Sequence, residues 1–489
     1  MRRSSCSCSA GLITALFLLC VLPTSVAQST GPEPGLQNKL RGESKDACAS
    51  RILLRAGKVE SALVRALLAY KAEPGRPSIE TLLGDIYYRM ADFDKAEAMY
   101  RSAETSDPCE ARAWLGLGRL DLLNSCRRAA RAKFTRAYAL DPRDPQVVRA
   151  YASNADSVAE EVAILKKYLA MRVEQQRDLE SALGHIIFHE KTGNRKLGVL
   201  ASKYCRYELP LQASKEGTFL LQVRINEGRP QRLILDTGAR GIVISARAAR
   251  DLGLRYLVQS ALGGLGNSDA TSAQTALADT VRIGDLTYRD CAIDVSDRSL
   301  SERADGVIGS VVFQQFLVSL DIPGKRVELL PFEEELPDAS QAQEDWADRD
   351  RAIPAGMEHF IPIAQISNIL LVPTQLKGAG SGYFMLDTGA SASSVSRSLA
   401  PNVNLTFFGA SFMFHGANGD LQTTYRAYPF ELRFANHSFI DPALIALDLR
   451  SISNQEGVEI SGFIGCPMLS HSRITIDYRD GLLNVEDDR

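Results

Sequence analysis

Leu233-Ile234-Leu235-Asp236-Thr237-Gly238-Ala239 and Phe384-Met385-Leu386-Asp387-Thr388-Gly389-Ala390 carry one pattern twice, an apolar run that ends in Asp-Thr-Gly-Ala. Such a run reads as a strand that delivers a carboxylate into a glycine turn. A given tripeptide turns up by chance in roughly one chain in ten of this length, so a single Asp-Thr-Gly means little. Two copies with the same flanks mean more. Working outward, Phe219, Leu221, Val223 and Ile225 alternate as on one strand face, and residues 226–230 form a turn. Asp305-Gly306-Val307-Ile308-Gly309 answers to Ser461-Gly462-Phe463-Ile464-Gly465, and Leu320-Asp321 and Ile476-Asp477 each end 12 residues beyond the last glycine. A turn and an apolar strand (Val327 to Leu330; Leu482 to Val485) close each copy, so the segment is a duplicated lobe.

These residues resemble the retropepsin-like and pepsin-like aspartic peptidases, over about residues 207–332 and 353–487. In that family each lobe supplies one Asp-Thr-Gly loop and a later hydrophobic-hydrophobic-Gly that braces it. The resemblance implies a bilobal, mostly antiparallel β domain with its cleft between the lobes. It makes Asp236 and Asp387 the catalytic dyad, Thr237 and Thr388 the hydrogen bonds across the lobe interface, and Gly238 and Gly389 the support that lets backbone approach the dyad. Two carboxylates ~3 Å apart share a proton, so one can act as base on a water while the other acts as acid. Such chemistry needs no cofactor and no metal.

Arg240 stands where the second copy has Ser391. A guanidinium there would either depress the dyad pKa values or point to solvent, and solvent is the reading adopted. Glycine-rich stretches at 263–266 and 415–419 lie where hairpins should cover the cleft, with His415 read as a surface or turn residue. Pro331 to Asp350 holds eight acidic residues against one basic, Arg349, and reads as a solvated linker, placed at 333–352.

Ahead of the lobes, Pro74, Pro108 and Pro142 are 34 residues apart, as are Ala62, Ala96 and Ala130. Trp114-Leu115-Gly116-Leu117-Gly118 opens one unit, Leu83-Gly84-Asp85-Ile86-Tyr87 sits at the matching place in the previous one, and Tyr100 and Phe134 correspond. The period resembles the tetratricopeptide repeat, over roughly residues 43–144, in a helical domain set at 43–200. Gln146 to Met171 should continue helically, and Arg177 to Leu200 should add a helix pair or cap. Such an array offers a groove for a peptide or protein partner, or an arm packed on the next domain.

The chain has 489 residues, 45% hydrophobic and 24% charged, with net charge -3. That suits a multidomain α+β protein, a helical repeat solenoid followed by the bilobal β domain, and lends nothing to nucleic-acid binding. Residues 1–27 have a basic start, an apolar run from Gly11 to Leu22 and a small-x-small end, the layout of a secretory signal peptide. The mature protein is therefore expected to be exported, periplasmic or secreted, without a stable membrane span. Six cysteines remain after processing, read as buried thiols with one or two bridges. A zinc site would want close cysteine or histidine pairs, and none is identified.

The function expected is an exported aspartic endopeptidase acting on protein or peptide, its repeats recruiting substrate or a partner. The alternative is a non-catalytic binding scaffold. Lobes joined by a tether of about twenty residues should pair within one chain.

Overall fold

The fold, a computed structural model, describes residues 13–14, 19–20, 44–171, 176–193, 197–201, 204–263, 271–298, 304–332, 349–366, 369–378, 380–399, 407–410, 414–416, 419–421, 424–427, 430–441 and 444–487. The proposed signal peptide, apart from two dipeptide strands, and linker residues 333–348 lie outside them.

Helices come first: α1 (Lys45–Arg55), α2 (Val59–Ala72), α3 (Pro77–Arg89), α4 (Phe93–Ser106), α5 (Ala111–Leu123), α6 (Arg127–Leu140), α7 (Pro145–Ala152), α8 (Val158–Leu169) and α9 (Gln176–Thr192). Their starts are written locally. Ser44, Asp92, Asp144 and Ser157 accept first-turn N–H groups, and Pro77 and Pro145 sit in the first turn, where no donor is lost. Pro74, Pro108 and Pro142 fall in the turns that follow α2, α4 and α6. Consecutive helices pack on one another, and α3 also touches α1 and α5. The 34-residue spacing has a packing counterpart. Tyr100 lies on Gly84 and Phe134 on Gly118, so close that an added Cβ would sit 2.5 Å and 2.6 Å from the two rings.

Gln146 to Met171 continues helically, divided between α7 and α8. Of the helix pair or cap read over Arg177 to Leu200, a single helix, α9, stands among the described residues, and Val199–Leu200 joins a lobe 1 strand beyond it.

The two lobes repeat one strand arrangement. In lobe 1, Gly306–Gly309 runs parallel to Gln231–Asp236 on one side and antiparallel to Ile242–Ser245 on the other; Leu286–Ser296 then lies parallel to Ile242–Ser245. In lobe 2, Gly462–Gly465 holds the same place between Gly380–Asp387 and Ser394–Ser396, with Ile445–Leu447 beyond. Between the lobes runs a six-stranded antiparallel sheet whose middle pair is Phe316–Asp321 and Ser472–Asp477. Ser319 faces its counterpart Thr475, hydroxyl to hydroxyl at 3.2 Å, while Leu317 faces Asp477 and Asp321 faces Arg473. That register is an approximate twofold axis within one chain.

The helices pack on lobe 2. Ala96, Tyr100, Leu117, Leu120 and Leu123 share one apolar cluster with Leu371, Met385, Ile452 and Phe463. Phe93 meets the Tyr383 ring at 5.0 Å, and the Glu459 N–H donates to the Arg89 carbonyl at 2.8 Å. The end of the expected linker is also pinned rather than solvated. The buried Asp480 carboxylate accepts from Arg349 and from the Ala352 N–H, each at 3.0 Å, and the Ala129 N–H donates to Asp350 at 2.9 Å. Those acceptors explain why this stretch cannot float.

Candidate active site

Each Asp-Thr-Gly loop hangs from the end of a strand whose parallel neighbour is the hydrophobic-hydrophobic-Gly segment. Asp236 stands opposite Gly309 and Asp387 opposite Gly465. The neighbours are glycines because the loop backbone fills the space a side chain would need. A Cβ on Gly465 would lie 2.6 Å from the Ala392 carbonyl. The Gly309 N–H donates to the Gly241 carbonyl at 2.7 Å, and the Cys466 N–H to the Ala390 carbonyl at 3.0 Å.

The threonines tie the loops to each other. Thr237 Oγ1 accepts from the Thr388 N–H at 3.0 Å and donates to the Leu386 carbonyl at 2.7 Å. Thr388 Oγ1 accepts from the Thr237 N–H at 3.1 Å and donates to the Leu235 carbonyl at 2.9 Å. All four bonds are buried and cross the lobe interface, so neither loop can shift alone. Gly389 lets its loop pass the opposite carboxylate: a Cβ there would be 2.5 Å from Asp236 Cγ.

Asp236 and Asp387 are both fully buried. Asp236 Oδ1 accepts from the Gly238 N–H at 2.6 Å, and Asp387 Oδ1 from the Ala390 N–H at 2.9 Å. The two carboxyls interact side chain to side chain, while Oδ2 of each takes no donor from the protein. Burial raises both pKa values. The charge of Asp236 raises that of Asp387 further, and backbone N–H groups partly offset the rise at each. A pair so placed holds a proton well above the ordinary carboxylate range. It can offer a basic oxygen and an acidic hydroxyl to the same bound molecule.

Several groups around the pair escaped the sequence reading. Arg240 does not point to solvent. Its guanidinium reaches across the interface to Glu456 at 2.9 Å, both side chains being nearly excluded from water. The reason is Glu456, which ends the lobe 2 helix Arg450–Glu456; burial raises its pKa and the guanidinium opposes that rise. Beneath Asp236, the Ser310 and Tyr478 hydroxyls bond to each other, again one from each lobe. Cys466 occupies the equivalent of Ser310, its thiol pushed up to about 12 by burial and by Asp387.

The flap candidates are described only in part. Gly263 ends a strand from Arg255, and residues 264–266 lie outside the described residues. His415 sits on the strand Phe414–Gly416 opposite Asp420, with 417 and 418 outside the described residues. The one or two expected disulfides are absent: Cys48, Cys109, Cys126, Cys205, Cys291 and Cys466 are all free thiols. No two of them are near in sequence, and none is bonded to another in the fold. His185 and His189, one turn apart on α9, are a close histidine pair that the sequence reading did not identify. Among the described residues no helix is long and apolar enough to cross a membrane.

Comparison with known families agrees with this geometry. The sequence model of a family described as aspartyl protease matches residues 221–312 and 372–468, one segment in each lobe. No curated protein matches the chain. The match supports an aspartic-peptidase-like domain, and it leaves the helices before residue 200 unassigned.

Proposed function

We propose that the aspartic-peptidase-like domain is a working endopeptidase with Asp236 and Asp387 as one dyad, and that the observation carrying this reading is the reciprocal threonine tie that holds the two carboxyls together. With one proton on the pair, the ionised member takes a proton from a water whose oxygen attacks the scissile carbonyl carbon. The protonated member gives its proton to the carbonyl oxygen. Collapse of the tetrahedral intermediate breaks the C–N bond, and the leaving amine takes a proton back from the dyad. Neither residue is assigned a fixed role, since the titration belongs to the pair.

The substrate class is protein or peptide. The helices are read as a repeat array whose first task is to brace lobe 2, because the α3–α5 region spends apolar surface on it; recruitment of a partner by the remaining faces belongs to the same proposal. Export rests on the pattern of residues 1–27. The test is cleavage of a denatured protein by residues 28–489 from acidic to neutral pH, with Asp236→Asn and Asp387→Asn alongside. Loss of cleavage in both variants supports the single dyad. Cleavage that survives either substitution overturns it, as does an inert wild type.

A further inference from the structure

We propose that Glu161, His185 and His189 form a binding site for one zinc-class divalent transition-metal ion at the seam between α8 and α9. His185 and His189 are four residues apart, so both rings leave α9 on the same face, one turn above the other. Glu161 on α8 stands opposite them. His185 Nδ1 lies 3.6 Å from Glu161 Oε1 and His189 Nε2 lies 4.0 Å from Glu161 Oε2. One donor atom from each of the three residues falls within 4.8 Å of the other two.

Those separations are too long for hydrogen bonds. They are close to what an ion requires. Metal–ligand distances of about 2.0–2.2 Å in a tetrahedral centre leave ligand atoms about 3.4 Å apart, so closing the site takes side-chain adjustments of a few tenths of an ångström to about an ångström. No hydrogen bond joins either imidazole to the carboxylate at these distances, and a cation at the centre would engage all three side chains. Two imidazoles and a carboxylate suit zinc rather than magnesium or calcium, which prefer oxygen. The residues between the histidines are Ile186, Ile187 and Phe188. None of them is a carboxylate, so the segment lacks the glutamate that a zinc-peptidase helix carries between its two histidines.

The position gives the ion a consequence. Lys166 and Glu190 already pair across the same two helices at 2.8 Å. Two residues beyond His189, Lys191 donates to the Leu257 carbonyl of the lobe 1 strand Arg255–Gly263. Whatever clamps α8 to α9 therefore stiffens the junction of the helical region with lobe 1, on a different side from the apolar contact with lobe 2.

The test uses the full chain freed of any affinity tag and stripped with chelator. Calorimetric titration with zinc should give one site per chain and a rise in Tm that magnesium does not reproduce. Cobalt should give visible d–d bands without the sulfur-to-cobalt charge transfer that cysteine ligation would add. His185→Ala, His189→Ala and Glu161→Gln should each lose about tenfold or more in zinc affinity, with the Glu161→Gln apoprotein melting as the wild-type apoprotein does. The site is overturned if no stoichiometric zinc binds, if Glu161→Gln and the histidine variants bind it unchanged, or if binding is lost instead in Cys109→Ser or Cys205→Ser.

Discussion

In lobe 1 the residue after Gly238-Ala239 is Arg240, ion-paired across the interface to Glu456; in lobe 2 the same place holds Ser391. Under Asp236 lies the Ser310–Tyr478 hydroxyl pair, and under Asp387 the Cys466 thiol. Lobe 2 carries the α3–α5 contact and lobe 1 the α9 contact. Against these differences stand features that match in both lobes. They are the strand order around the loops, the glycine opposite each aspartate, and the two threonines with interchangeable bonds. The symmetric set is what touches across the axis, where each lobe is the other's environment and a change in one must be answered by the other. The asymmetric set faces partners that exist once, such as the helix ending at Glu456.

Neutralising either aspartate is the largest test of the symmetric half. Asp236→Asn and Asp387→Asn should each lower kcat about 10³–10⁴-fold, to similar extents, in single-turnover assays; a tenfold or larger disparity would break the equivalence. The same variants report on pH. Burial raises the folded-state pKa of both carboxyls above the 3.8 of an unfolded aspartate, so the stability this contributes is whole below 3.8 and is lost as pH rises through the raised value. Asparagine does not titrate. The Tm of each variant relative to wild type should therefore climb between pH 4 and pH 7, read by calorimetry.

The asymmetric half is broken next. Arg240→Ser copies the lobe 2 residue into lobe 1 and strands the buried Glu456 carboxylate. It should cost about 3–5 kcal/mol at pH 7. Because the pKa of Glu456 is already raised by burial, the defect should shrink toward acid, and Glu456→Gln added to Arg240→Ser should recover part of it in urea unfolding. Thr237→Val and Thr388→Val keep shape but leave an N–H and a carbonyl of the opposite loop unpaired. Each should cost about 2–3 kcal/mol, and the two costs should agree while the double variant falls short of their sum, since both act on one tie. Phe93→Ala removes an aromatic contact that only lobe 2 has. A loss of about 1–2 kcal/mol in Tm-derived stability is expected, with the dyad's pH profile unmoved.

How far the sequence could be read followed from how local each signal was. The loops, the bracing glycines and the closing strands were legible because each is a short motif repeated at matching offsets. The helices were legible through their 34-residue period, although the division of Gln146 to Met171 between α7 and α8 was not. Arg240 was misread because its partner lies 216 residues on, in a helix whose burial no local pattern announces. The disulfide expectation failed for a related reason, since thiol pairing depends on which strands meet. His185 and His189 were within reach of a helical reading, being four apart; the Glu161 that faces them was not.

What the sequence determined by itself is the chemistry on offer: two strands that each end in a carboxylate and a glycine turn, because strand period and turn geometry are properties of a few adjacent residues. What only the tertiary structure decided is which groups share an environment. Thr237 meets Thr388, Arg240 meets Glu456, and the helical region spends its apolar surface on lobe 2. Burial makes those pairings matter, because a polar group removed from water takes its energy from whichever partner the whole chain brings to it.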